Sequence, residues 1–176
     1  MEGTGSLLLD RVNRKAYCAL SPRADEDLLM EFCEDFEYTP VIFHAYQTVK
    51  DRRELIYHTN VMIALTENYA IICLDAIDNK KERKLIIKNL LADGREIIKI
   101  TEEQVNNFAG NMLQVIGKDN IQYTVMSEAA FKSLSEGEVA KIEKYSTILH
   151  SNLETIETCG GGSARCMMAE VFLTHF

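Results

Sequence analysis

The chain has 176 residues, 47% of them hydrophobic, and a formal net charge of −8. That length and composition fit one globular domain with a sizeable core, and two prolines leave no Pro-rich linker. The acidic balance excludes the basic surface that nucleic acid or anionic membrane would need; the densest basic run, Lys80–Lys84, is interrupted by Glu82. Five cysteines (Cys18, Cys33, Cys73, Cys159 and Cys166) form an odd set with no Cys-x-x-Cys pair. Neither a disulfide framework nor a zinc site is expected, and a reducing cytoplasm is the natural setting. Residues 1–10 lack the basic and apolar regions of a signal peptide, and no apolar run reaches the length of a membrane span.

In chain order, a Gly-rich opening at residues 2–6 leads to a short apolar strand over 7–10 and a turn at 11–14. A second strand follows over 15–20. Leu28, Leu29, Phe32, Cys33 and Phe36 recur at helical spacing and predict a helix over 24–36. A strand follows over 39–46. The order then returns: strands over 59–65 and 69–74, a helix over 79–92 stopped by Asp93-Gly94, and a strand over 95–100. It returns again: a helical turn at 101–107, strands over 111–116 and 121–126, helices over 127–134 and 135–145, and a strand over 146–152. Ser135 with Glu138 makes a capping box for the second of these helices. The pattern is strand–strand–helix–strand three times, with evenly spaced starts at Leu7, Thr59 and Asn111, which marks an array of supersecondary units. The units span about 6–46, 59–100 and 101–152. A Gly loop from Thr158 and a lone strand from Met167 to Leu173 close the chain.

Four short stretches carry candidate chemistry. Gly160-Gly161-Gly162-Ser163-Ala164-Arg165-Cys166 presents a cysteine after a backbone free to turn tightly, which suits a nucleophilic thiolate. It equally suits a glycine linker before a buried thiol. His58-Thr59-Asn60 places an imidazole where a loop enters a strand, as a general acid/base or as a half-exposed strand cap. Glu2 is a carboxylate beside a Gly-x-Gly turn or a loose terminal acid. Asn111, after Ala109-Gly110, offers an amide to a ligand or caps the helical turn before it, and Arg165 grips a carboxylate or is solvated.

Taken together and in order, Glu2-Gly3-Thr4-Gly5-Ser6, His58-Thr59-Asn60-Val61-Met62, Ala109-Gly110-Asn111-Met112-Leu113 and the Gly-rich Cys166 stretch resemble the guanidino-group-modifying enzymes. These are the arginine deiminases, dimethylarginine dimethylaminohydrolases and amidinotransferases, and the resemblance is nearest to the bacterial branch that includes citrulline-utilisation hydrolases. It implies the pentein fold, an α/β propeller of five strand–strand–helix–strand units, of which about three are present in a single incomplete domain over 1–176. It implies Cys166 as nucleophile, His58 as general acid/base and Glu2 as the carboxylate orienting it, with Asn60, Asn111, Arg165 and Gly162 at substrate-binding positions. No metal and no cofactor are implied.

The chain departs from that pattern in three ways. Gly5 and Asn60 stand where acids are common, which favours a neutral ureido group over a guanidinium. The chain is also about half the usual length, so a homo-oligomer or pairing with missing N-terminal units is expected. The implied activity is hydrolysis of a guanidino or ureido group through a covalent thio intermediate. An interaction module and an amidinotransferase are the alternatives.

Overall fold

A computed structural model describes residues 1–171. The elements run α1 (Gly3–Ser6), β1 (Leu8–Asp10), β2 (Lys15–Ala19), α2 (Glu26–Asp35) and β3 (Thr39–Phe43). A hairpin follows, β4 (Tyr46–Val49) and β5 (Arg52–Leu55), then β6 (Ile63–Leu65), β7 (Tyr69–Ile72), α3 (Lys80–Ala92) and β8 (Glu96–Lys99). Next come α4 (Glu102–Asn106), β9 (Leu113–Ile116), β10 (Gln122–Ser127), α5 (Glu128–Ser133), α6 (Glu136–Glu143), β11 (Thr147–Ser151) and α7 (Glu154–Gly160).

Three of the sheets share one topology. β1–β2–β3, β6–β7–β8 and β9–β10–β11 each pair their first two strands antiparallel and their last two parallel, the crossover being helical. This is the repeated mixed α/β unit that the pattern predicts, and the propeller-type arrangement that the resemblance implies. The first strands β1, β6 and β9 are neighbours at the centre. The middle strand β7, paired with β6 and β8 on its two edges, is buried along its whole length in the core, and Tyr69 to Ile72 reads as an unbroken apolar run.

Local chemistry explains the element ends. Asn79 caps α3 by accepting from the backbone N–H of Lys81 and Glu82, and Gly94 at φ 76° turns the chain out of it. Thr101 with Gln104, and Ser135 with Glu138, form complete capping boxes. Between units one and two, Asp10 and Arg95 pair at 2.5 Å, both essentially sealed from water. Between units two and three, the Tyr69, Thr124 and Ser146 hydroxyls bond to one another in the core.

Four expectations are corrected. The β4–β5 hairpin is an added element; its turn residues Lys50 and Asp51 both take positive φ, 46° and 62°, as a type I′ turn demands. Residues 59–61 form a 3-10 turn, and β6 begins only at Ile63. Thr158 to Gly160 belong to α7, which Gly161 ends in the left-handed region at φ 68°. No strand forms over 167–171: Met167 closes a 3-10 turn over Ala164–Met167. Both main-chain groups of Met168 turn back on Arg165, its N–H to the Arg165 carbonyl and its carbonyl to the Arg165 guanidinium, in place of a strand ladder. The remainder of that expected strand, to Leu173, and His175 lie outside the described residues.

Candidate active site

The first half of the site is built by α1 and by the segment that enters β6. His58 Nε2 lies 2.7 Å from Glu2 Oε2, joining residues 56 positions apart. The hydrogen bond from His58 holds the Glu2 carboxyl below its ordinary value of 4.5, and Arg23, 3.5 Å away, adds to the effect. An ionised carboxylate only accepts, so Nε2 carries the proton, and in the neutral ring Nδ1 is the basic nitrogen. The ring rests on Gly5: a Cβ there would fall 2.7 Å from Nδ1. A side chain at position 5 would therefore displace the His58 ring. Glu2 itself is anchored through its own N–H to Ser6 Oγ at 3.1 Å, and Ser6 Oγ donates to the Arg23 carbonyl. Thr59 ties the two segments together, donating to the Ser6 carbonyl and accepting from Ala19 N–H.

The second half is built by the turn before β9 and by the 3-10 turn after α7. Asn111, 3% exposed, donates from Nδ2 to the Asn60 carbonyl at 3.0 Å and to Cys166 Sγ at 3.3 Å. Its Oδ1 accepts from Arg165 N–H at 3.1 Å. It therefore neither caps α4 nor faces solvent. Gly110 is required by packing, because a Cβ would stand 2.3 Å from the Val61 carbonyl oxygen. Gly162 lies against Cys166, with 3.2 Å between its would-be Cβ and Sγ. Arg165 is buried at 5% exposure rather than solvated, bonded to the Met168 carbonyl and to Glu170. Asn60 is buried too, and its Oδ1 has no hydrogen-bond partner.

Tyr57 joins the halves. Its ring packs on His58 with centroids 4.9 Å apart, and its hydroxyl donates to the Gly161 carbonyl at 3.2 Å. Burial first, then the nearby Cys166, push its hydroxyl above the ordinary 10.0. Arg23 lies over the other side of this group, 5.0 Å from the Tyr57 ring centroid. Sequence reasoning missed Tyr57, although its place directly before His58 was a signal. It also missed Arg23, for which there was none.

Cys166 is exposed, as is Cys159, whereas Cys18, Cys33 and Cys73 are buried. Burial raises all three of those thiols, Cys18 to about 11, which makes them poor nucleophiles. His44 pairs with Glu82, and His150 stacks on Phe131, both away from this cluster. Among the described residues no three His, Cys, Asp or Glu side chains gather as a metal site, and no helix is long and apolar enough to cross a membrane.

Known proteins share this fold. No curated protein matches the chain. Among solved structures, the N-terminal domain of ArgZ with product, an arginine dihydrolase from the ornithine-ammonia cycle in Cyanobacteria, superposes with a TM-score of 0.68 at 21% identity. The match covers 94% of this chain and 54% of that one, so the chain spans about half the length of that domain. AgrE in complex with L-arginine gives 0.69 at 20% identity, over 94% of this chain and 22% of that one. SxtG, an amidinotransferase from Microseira wollei in the saxitoxin biosynthetic pathway, gives 0.59 at 13% identity, over 92% and 42%. These likenesses share the fold. The model of the family described as N,N dimethylarginine dimethylhydrolase, eukaryotic, matches residues 1–173, and the chain belongs to that family, within the guanidino-group-modifying pentein superfamily.

Proposed function

We propose that the chain is a cysteine-dependent hydrolase of a guanidino or ureido group, with Cys166 as nucleophile, His58 as general acid/base and Glu2 as the carboxylate that orients it. The observation that supports this most is the one hydrogen-bonded and packed path from Glu2 through His58 and Tyr57 to the Cys166 loop. The Cys166 thiolate attacks the planar carbon of the substrate, and a tetrahedral adduct forms. The departing amine takes a proton from His58 as its C–N bond breaks, leaving an S-amidino or S-carbamoyl cysteine. Water, giving a proton to His58, attacks that carbon and releases the thiolate. Glu2 stabilises the imidazolium formed between the steps.

Asn60 Oδ1, an acceptor without a partner, is our choice for a substrate N–H, and its neutrality supports a ureido group over a guanidinium. A buried unpaired carboxylate would be needed to hold a cation as well. Gly162 leaves the space beside Sγ that an approaching planar group requires. The substrate is a small molecule, no cofactor takes part, and a reducing cytoplasm keeps Cys166 free. Apolar side chains left exposed on the third unit, Ile116, Ile121 and Leu149, support self-pairing or pairing with further units.

The test is turnover of citrulline, arginine and dimethylarginine by the purified protein and its Cys166→Ser variant. We expect release of ammonia or amine by the parent, a covalent adduct on Cys166 by mass spectrometry, and neither in the variant. Turnover surviving in Cys166→Ser overturns the assignment.

A further inference from the structure

We propose that Asn111 is the donor that holds the Cys166 sulfur and its negative charge, not a substrate contact. The inference rests on Cys166 being the nucleophile. It follows from counting the amide's hydrogens. A carboxamide has two N–H donors, and both are used, one on the Asn60 carbonyl and one on Sγ. No N–H remains to offer a substrate.

The orientation of the amide is forced by its neighbours. The Arg165 N–H can only donate, so it must meet Oδ1; the Asn60 carbonyl can only accept, so it must meet Nδ2. The second N–H then points at sulfur by construction. A neutral thiol is a weak acceptor, whereas a thiolate makes a charge-assisted bond, so the donor favours the reactive form. The donor is also rigid. Asn111 is buried, Phe108 ahead of it is held at φ 64°, and Gly110 is seated on the Val61 carbonyl with no space for a side chain. On the other side Gly162 has no side chain to crowd the sulfur, so that face stays open. Cys166 is thus an exposed cysteine whose sulfur is met by a buried amide N–H on one side and left open beside a glycine on the other.

Alkylation by iodoacetamide tests this without any substrate, so its failure is distinct from failure to find turnover. In the parent chain, peptide mass mapping compares Cys166 with Cys159, the other exposed cysteine, in the same molecule. We expect Cys166 to react about tenfold faster at neutral pH. Asn111→Asp keeps the shape, loses the donor and adds an opposing charge; Asn111→Ala loses the donor alone. The expected order at neutral pH is parent, then Asn111→Ala, then Asn111→Asp, with the rates converging in strong alkali, where a thiol ionises unaided. A merely structural role predicts the opposite: a loosened loop reacts faster at every pH. Faster alkylation of the variants, or equal rates for Cys166 and Cys159 in the parent, overturns the proposal. The parent comparison stands even where a variant does not fold.

Discussion

Gly110→Ala tests how the site is held together. A methyl at this position would stand 2.3 Å from the Val61 carbonyl oxygen, 2.9 Å from Met62 Cα and 3.0 Å from the Met62 carbonyl carbon. All three are backbone atoms, so no rotamer change relieves the overlap. Ordinary contact begins at 3.4 Å, and closing a gap of about 1.1 Å requires moving one whole chain segment away from the other. Overpacking of this kind costs about 3 kcal/mol. For a chain of this size that is a fall in Tm of roughly 6–12 °C. The two segments that must part carry Asn111 and Asn60, so whatever fold survives has a displaced amide beside Cys166. The assay is a thermal melt followed by circular dichroism, with Cys166 alkylation at neutral pH on the same sample. A Tm within about 2 °C of the parent, with unchanged alkylation, would refute the close approach of residues 110 and 61.

Gly5→Ala places a methyl 2.7 Å from His58 Nδ1, against a side chain rather than backbone, so the ring yields and stability does not. Turnover is expected to fall about 10²-fold with little change in Tm, and full activity would show that the ring works elsewhere. Asn60→Asp puts charge where an unpartnered neutral acceptor now sits. The ratio of kcat/KM for a guanidinium over a ureido substrate should rise about tenfold, and an unchanged ratio removes Asn60 from the substrate's surroundings. Burial works to raise the carboxyl of Asp10, but the Arg95 hydrogen bond prevails and holds it below its ordinary 3.8. A depressed carboxyl contributes stability above its unfolded value and loses it as pH falls through the folded one, so the loss comes below pH 3.8. Asp10→Asn should cost about 3 kcal/mol at neutral pH and flatten the acid end of a Tm-against-pH curve, whereas a parallel curve would contradict the pairing.

Much of the fold was legible because its signals are local. The β7 run, the Asp93-Gly94 stop and the Ser135–Glu138 box each declare an element within a few residues. The β4–β5 hairpin was not legible because Lys50 and Asp51 do not advertise the positive φ that their turn requires. The expected strand from Met167 was apolar enough, yet buried Arg165 folds that segment back onto its own guanidinium, and side-chain burial is a tertiary fact. The candidate residues split the same way. Cys166 and His58 stood out by residue type and neighbours, but the closeness of Glu2 to His58 across 56 positions came only through the family resemblance. The donor role of Asn111 could not be seen, since three partners on three different segments define it.

The repeat itself explains why these segments meet. Glu2 and Gly5 precede β1, His58 to Asn60 precede β6, and Gly110-Asn111 precede β9, so each of these residues enters just ahead of the first strand of a unit. Those first strands are neighbours at the centre, and their leading segments are therefore brought to one end of it. Side chains at that end then bond across units: Thr59 to the Ser6 carbonyl, Asn111 to the Asn60 carbonyl. The first tie joins unit one to two and the second joins two to three. Cys166 is held by the last of these leaders and arrives from outside the repeat, after α7, which is why its loop needs its own fastenings in Tyr57 to Gly161 and Arg165 to Asn111. A sulfur delivered this way has its position determined by all three units at once. Thr59→Val, which frees the segment whose Asn60 carbonyl seats the Asn111 amide, should then draw the amide N–H off the sulfur and slow Cys166 alkylation at neutral pH.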